Sequence, residues 1–195
     1  ATLSLLDKYA KTEGADIDTH ALTYSRSRGH KSLRKIVGKK LPFQNNHFTL
    51  ITCLDVLEHI ENDMNTLDEF YRILKPGGTL ILFVPAFPSL WGDLDVHSHH
   101  KRRYTENELS DKMRRARFKM KHIFYFNFIF FIPIFLIRQL QRLRIMPLAQ
   151  NWGVHPVVGS KRVNDFLTRI FEHDVRLAPL LNPPYGVSIC AIAKK

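Results

Sequence analysis

The stretch Phe48–Pro85, FTLITCLDVLEHIENDMNTLDEFYRILKPGGTLILFVP, constrains the fold more than any other part of this chain. An apolar run, Phe48–Leu54, ends at Asp55, with Glu58 and His59 just beyond it. Leu67, Phe70, Tyr71 and Leu74 then recur at the spacing of one helical face. Lys75-Pro76-Gly77-Gly78 stops that helix, because proline lacks an N–H and glycine accepts positive φ. A second apolar run, Thr79–Val84, follows. Both runs are continuous rather than alternating, which predicts strands buried on both faces of a parallel sheet. Strand, helix and strand form one βαβ unit of nearly fixed handedness. Ligands of such sheets sit beyond the carboxyl ends of the strands. Asp55, Glu58, His59 and the segment after Pro85 are therefore expected at one mouth.

The 195 residues suit a single domain, and 45% hydrophobic with 24% charged residues excludes a disordered chain. Cys53 and Cys190 lie in apolar, strand-like runs, which predicts two buried reduced thiols in an intracellular protein. There is no C-x-x-C pair, so cysteine-bound zinc is not expected. ATLSLLDKYAK lacks the pattern of a signal peptide. The net charge is +11, and the segment Lys101–Arg144 carries most of it, with twelve Lys/Arg against three Asp/Glu. Such a segment favours an anionic partner or is simply a solvated basic face.

Along the chain, residues 1–11 read as part of a helix with Leu3, Leu6 and Ala10 on one face. Glu13–Ile17 reads as a short strand ending in Asp16, and Asp18 as the N-cap of a helix over His20–Arg28. Ser32–Val37 is a further strand, and Lys39–His47 a polar connection broken by Pro42. Ala86–Arg103 reads as a loop. Thr105-Glu106-Asn107-Glu108 is a capping box opening a helix to about Arg117, with Leu109, Met113 and Ala116 inward. Phe118–Phe126 is strand-like. Ile123–Ile137 is almost wholly apolar, but its fifteen residues fall short of the roughly 20 that span a bilayer. Basic residues flank it, so it fits either a membrane interface or a buried strand running into a buried helix. Gln150–Gly159 reads as a loop. Ser160 caps a periodic helix with Val163, Phe166, Leu167, Ile170 and Phe171 on one face, Asn182-Pro183-Pro184 breaks the chain, and Val187–Ala193 is a last strand.

GADIDTHALTYSRSRG, LPFQNNHFTLITCLDVLEHI and RILKPGGTLILFVP, in this order, resemble the second half of a class I S-adenosylmethionine-dependent methyltransferase. WGDLDVHSHHKRRYTENEL and PPYGVSICAIAKK extend the likeness to the type 11/12-like subgroup. The resemblance implies an α/β fold: a Rossmann-like, mostly parallel sheet with helices on both faces, an antiparallel last strand, and a helical insertion over 127–182. It implies one domain over 1–195. The family's first strand and acidic-G-x-G-x-G turn have no counterpart here, so the chain is expected to be an N-terminally truncated fragment or a degenerate homologue, impaired in cofactor binding.

The resemblance also implies roles. Asp16 matches the acidic residue that grips the cofactor's ribose hydroxyls, although capping the next helix alone would also explain it. Ile17 should pack on the adenine side. Val37 stands where a carboxylate usually meets the adenine amine, leaving backbone and packing contacts from Val37 and Gly38. Leu54 and Asp55 match positions that contact the methionine part. His59, with Glu58, could hydrogen-bond toward the site or cap a helix.

Methyl transfer from a sulfonium is a direct displacement of an already activated group, so alignment of the acceptor supplies most of the catalysis. A base is needed only when the acceptor must lose a proton. His100 and Tyr104, in the subgroup's H-x-R-R-Y pattern, are the catalytic candidates, with His100 as base. Asp95, Arg102 and Arg103 are the substrate candidates, the arginines as an anion clamp or as braces of the loop. DLDVHSHH also suggests a metal, yet alternating histidines on a loop define no geometry, and none is expected. The expected reading is S-adenosyl-L-methionine-dependent transfer to a small-molecule or lipid-linked acceptor, the protein being cytoplasmic or peripheral to an anionic membrane surface. The alternative is a non-catalytic membrane-peripheral or nucleic-acid-binding protein on a decayed fold, although no RNA-recognition fingerprint is present. Neither the acceptor nor the oligomeric state is legible.

Overall fold

The computed structural model describes residues 2–143 and 160–195. Ala1, Arg144 and the loop expected over 150–159 lie outside the described residues. The chain divides into two compact units, Ala1–His47 and Phe48–Lys195.

In the first unit, α1 (Thr2–Leu6) precedes β1 (Gly14–Asp16), α2 (Thr19–Ser27) and β2 (Leu33–Lys35). The expected helix over 1–11 ends early: α1 stops at Leu6, and Ala10 is exposed. β1 and β2 pair in parallel, with Asp16 opposite Lys35. Asp18 caps α2 as expected, its carboxylate accepting from His20 N–H at 2.9 Å.

The second unit is a four-stranded sheet in the order β3-β4-β6-β5. β3 (Phe48–Leu54) and β4 (Leu74–Pro85) run parallel, joined by α3 (Asp63–Ile73). α4 (Asp93–His97) and α5 (Glu106–Arg115) lead into β5 (Lys119–Phe126), and α6 (Phe131–Arg142) and α7 (Lys161–Leu181) precede β6 (Ser188–Lys194). β6 is antiparallel to both β4 and β5, which gives the expected mixed sheet with an antiparallel last strand. α3 ends one turn before the glycines, at Ile73, and Gly77, with φ of 75°, sits in the irregular stretch where the β3–β4 register shifts.

The expectation that both apolar runs are buried on both faces holds for β4 but not for β3. Leu80, Leu82 and Val84 are fully buried on one face of β4, and Ile81 and Phe83 pack on the other with Phe126, Ala178, Cys190 and Ile192. β3 stands at the sheet's edge, and its Thr49 and Leu50 are exposed. Position in the sheet, not composition, decides that difference. α5 turns Leu109 and Met113 inward, with Ala116 just past its end, all three fully buried as the capping-box reading predicts. Cys53 and Cys190 are buried free thiols, and burial pushes both up to about 12.

Three readings change. The expected loop over Ala86–Arg103 contains a 3-10 turn, Pro88–Leu90, and the helix α4. The apolar run Ile123–Ile137 ends β5 and opens α6, which exposes Ile132, Leu136 and Ile137 while Phe131 stacks among Phe87, Phe135 and Tyr185. No helix of the described residues is long and apolar enough to cross a membrane. On α7, Val163, Phe166 and Phe171 are exposed among the described residues, and the helix instead buries Asp174 and Ala178.

Candidate functional site

In the first unit the polar and apolar candidates gather at the carboxyl end of the β1–β2 pair. Asp16 is the last residue of β1. One of its carboxylate oxygens accepts from Asp18 N–H at 2.9 Å, which fixes the turn into α2. Ile17 and Val37 are exposed apolar side chains, 73% and 77% accessible, on the residues just past Asp16 and β2. Ile36 N–H donates to Asp16 C=O, so the two chain exits run side by side. Gly38 has φ of 75° and opens a narrow turn in which Val37 bridges to Lys40. A carboxylate beside exposed aliphatic side chains suits a ribose with an apolar ring next to it. A cleft of about 390 Å³ in this unit, lined by Leu3, Asp7, Gly14, His30 and Leu33 among others, does not include Asp16.

In the second unit Leu54 closes β3, and Asp55 follows with a left-handed φ of 51° while its N–H donates to Phe83 C=O. That kink turns the chain into the 3-10 turn Leu57–His59. The segment 101–104 then runs along the strand ends. Lys101 N–H donates to Glu58 C=O, Tyr104 N–H to Pro85 C=O, and Phe87 N–H to Tyr104 C=O. These bonds bring His100 beside Glu58 and His59, which lie 42 and 41 positions earlier in sequence. The His59 and His100 rings meet edge to face with centroids 4.8 Å apart. His59 Nε2 and His100 Nε2 each lie 3.8 Å from Glu58 Oε1.

Behind this trio Asp95 is fully buried. It accepts from Gly92 N–H at 2.9 Å and from Arg103 Nε at 2.7 Å, and its Oδ1 lies 2.8 Å from His100 Nδ1. Burial alone would raise its carboxyl, but Arg103, His100 and the Gly92 N–H outweigh that and hold it below the usual range. Glu58 has no side-chain hydrogen bond of this kind; burial, with Asp55 and Asp95 nearby, pushes its carboxyl up to about 7 against the opposing pull of its own backbone N–H and Arg103. Burial also raises Asp55, and burial with the neighbouring His100 lowers His59.

The remaining candidates are tied into the scaffold. Tyr104 is fully buried, and its hydroxyl donates to Asp63 Oδ2 at 3.0 Å; burial and that carboxylate raise it above the ordinary tyrosine range. Arg103 is buried between Asp95 and the Ala86 carbonyl. Arg102 donates to Glu61 C=O and lies 3.2 Å from Asp63. The side chains expected as catalytic tyrosine and arginine clamp thus each meet a carboxylate, because the segment that carries them passes along the strand ends. Two further residues of the basic segment are paired, Lys112 with Asp63 and Arg117 with Asp68. Glu58 is the residue whose weight sequence reasoning missed; its place between Leu57 and His59 reads as a helix start, and nothing local marks it as buried.

Parallel strands that end at or just before Asp16 and Asp55, a left-handed turn at Asp55 after β3, and a final antiparallel strand define a Rossmann-like α/β protein of the kind that binds a nucleoside cofactor at its strand ends. The comparisons narrow that class. Residues 1–82 match the family described as methyltransferase domain. The ubiquinone/menaquinone biosynthesis C-methyltransferase UbiE of Psychromonas ingrahamii is 36% identical over 81 residues, which is 38% of this chain and 32% of that protein. The chain thus spans about a third of the length of this curated relative. Among solved structures, a SAM-dependent methyltransferase from Archaeoglobus fulgidus aligns over 100% of this chain and 80% of its own, with TM-score 0.60 and 15% identity. Haemonchus contortus phosphoethanolamine N-methyltransferase 2, solved with S-adenosyl-L-methionine, aligns over 100% of this chain and 45% of its own, with TM-score 0.58 and 14% identity. The sequence match to the methyltransferase domain thus covers residues 1–82, and the likeness of fold to S-adenosylmethionine-dependent methyltransferases extends over the rest of the chain.

Proposed function

We propose that this protein takes part in methyl transfer from S-adenosylmethionine to a small acceptor with an apolar portion. The observation that carries the reading is Asp16 at the carboxyl end of β1, beside exposed Ile17 and Val37, within the stretch that matches the methyltransferase domain. These residues suit the adenosine half of the cofactor: Asp16 has one carboxylate oxygen outside its turn for the ribose hydroxyls, and Ile17 and Val37 offer an apolar surface to the base. The cofactor supplies an activated methyl group when bound.

The chain's own work is then to bind, orient and exclude water. Asp95 holds the His100 ring by Nδ1 and leaves Nε2 as the lone-pair donor at the strand ends. Arg102, Arg103 and Tyr104 are positioning residues that hold the 100–104 segment in place. The exposed Ile132, Leu136 and Ile137 of α6 support an acceptor with an apolar part; the Psychromonas relative is named for quinone biosynthesis, which agrees with that class. Calorimetry with S-adenosylmethionine tests the assignment. Asp16→Ala weakens binding by about 1–3 kcal/mol, the loss of a charged hydrogen bond, and equal affinity of both proteins rejects the ribose role. Transfer of labelled methyl to an organic-extractable phenol or quinol tests the acceptor class; label found only in polar acceptors rejects it.

A further inference from the structure

We propose that Glu58, His59 and His100 form a binding site for one divalent transition-metal ion. One donor atom from each, a carboxylate oxygen and two imidazole nitrogens, lies within 4.8 Å of the other two. A tetrahedral ion bound at 2.0–2.2 Å needs donors about 3.4 Å apart. Glu58 Oε1 stands 3.8 Å from both Nε2 atoms, too far for hydrogen bonds and close to that ligand spacing. Side-chain shifts of under about an ångström close the set.

The independent observation is Glu58 itself. Its side chain is fully buried, and neither carboxylate oxygen has a hydrogen-bond partner. Burying such a group without a partner costs several kcal/mol, which is why buried carboxylates are almost always paired. Glu58 is aimed at two imidazoles that do not satisfy it, and an ion between the three does.

The surrounding shell fits the same ligand set. Asp95 Oδ1 lies 2.8 Å from His100 Nδ1, the carboxylate–histidine arrangement that fixes a metal-binding tautomer and turns Nε2 toward the ion. Asp55 lies close enough to Glu58 and both histidines to act on their charge, so the local potential favours a cation. Arg103 opposes it but is already paired with Asp95. The His59 side chain is 38% exposed, so the ion has a solvent side where further ligands bind. Two imidazoles with one carboxylate and no thiolate select Zn²⁺, Mn²⁺, Co²⁺ or Fe²⁺ over Mg²⁺ and Ca²⁺, which prefer all-oxygen shells. The binding claim is independent of the methyl-transfer reading. Only the ion's use rests on that reading: it binds an acceptor oxygen and lowers its pKa, and His100 then acts as ligand rather than base.

The test is a Co²⁺ titration of the tag-free, chelator-treated chain, followed by visible absorption, with Zn²⁺ as competitor. One saturable equivalent with d–d bands that Zn²⁺ abolishes is expected. Glu58→Gln and His59→Ala each weaken binding at least about tenfold, while His97→Ala, whose ring contacts the Asp93 carbonyl instead, leaves it unchanged. No saturable band, or variants within about twofold of the parent, overturns the site. A folding defect in Glu58→Gln does not rescue the claim. Ring-nitrogen NMR of the parent chain with Zn²⁺ must then shift His59 and His100, and shifts confined to the other histidines overturn it as well. S-adenosylmethionine calorimetry on the same samples separates a failed metal site from a failed cofactor site.

Discussion

Asp63 shows how much of the second unit hangs on single side chains. It is nearly buried and accepts from Tyr104 Oη at 3.0 Å and Lys112 Nζ at 2.8 Å, with Arg102 at 3.2 Å. Burial raises its carboxyl, but Lys112, Tyr104 and Arg102 together hold it below the usual range. A carboxyl lowered on folding adds stability that is fully present above its unfolded pKa, near 4, and is lost as pH falls through the lower folded value. Denaturant unfolding at pH 7 and at pH 3 checks this. Asp63→Asn should cost about 1–3 kcal/mol at pH 7 and much less at pH 3; an equal cost at both rejects the linkage. The residue scale is also where sequence reading was weakest. Arg103 and Tyr104 look like site residues on a loop, and Glu58 like a cap, because exposure is invisible until the chain around them is placed.

At the scale of elements, the caps and strand ends were readable because they are local chemistry. Asp18, Thr105 and Ser160 each accept from a backbone N–H at the start of the expected helix. The way elements join was not readable. Asp174 on α7 is fully buried and accepts from Asn127 N–H at 2.5 Å and Ile129 N–H at 2.8 Å, tying the helix to the turn between β5 and α6. Nothing in FEHDVRL separates it from a surface aspartate. Asp174→Ala leaves both buried N–H groups without a partner, and a loss of about 2–4 kcal/mol in chemical unfolding is expected for two charged hydrogen bonds. A loss below about 0.5 kcal/mol contradicts this account. Gly186 makes a second unmarked junction: a Cβ there would lie 2.4 Å from the Phe126 carbonyl oxygen.

At the scale of the molecule, stability should follow the strand order. β4 and β6 are flanked on both sides within the four-stranded sheet, whereas the β1–β2 pair has three-residue strands. Amide hydrogen exchange is therefore expected to be slowest in 80–84 and 189–193 and faster in 14–16 and 33–35; the reverse order rejects it. The class of fold was evident from Phe48–Pro85 and the final VSICAIA, since continuous apolar runs around an amphipathic helix have few alternatives. So was Asp16, because a strand's last residue and the following N-cap are both set by neighbours in sequence. The trio at the strand ends was not. DLDVHSHH drew attention to metal chemistry but contributes only His100 to it, with Asp95 behind. Glu58 and His59 come from the other side of α3 and β4. Local sequence, then, determined most of the elements, with the caps and the acidic strand ends but not α4 or the end of α1, because those depend on contacts a few residues apart. The tertiary structure decided which side chains are buried and which meet, because segment 101–104 is hydrogen-bonded both to Glu58, 43 residues before Lys101, and to Pro85 at the end of β4, 19 residues before Tyr104.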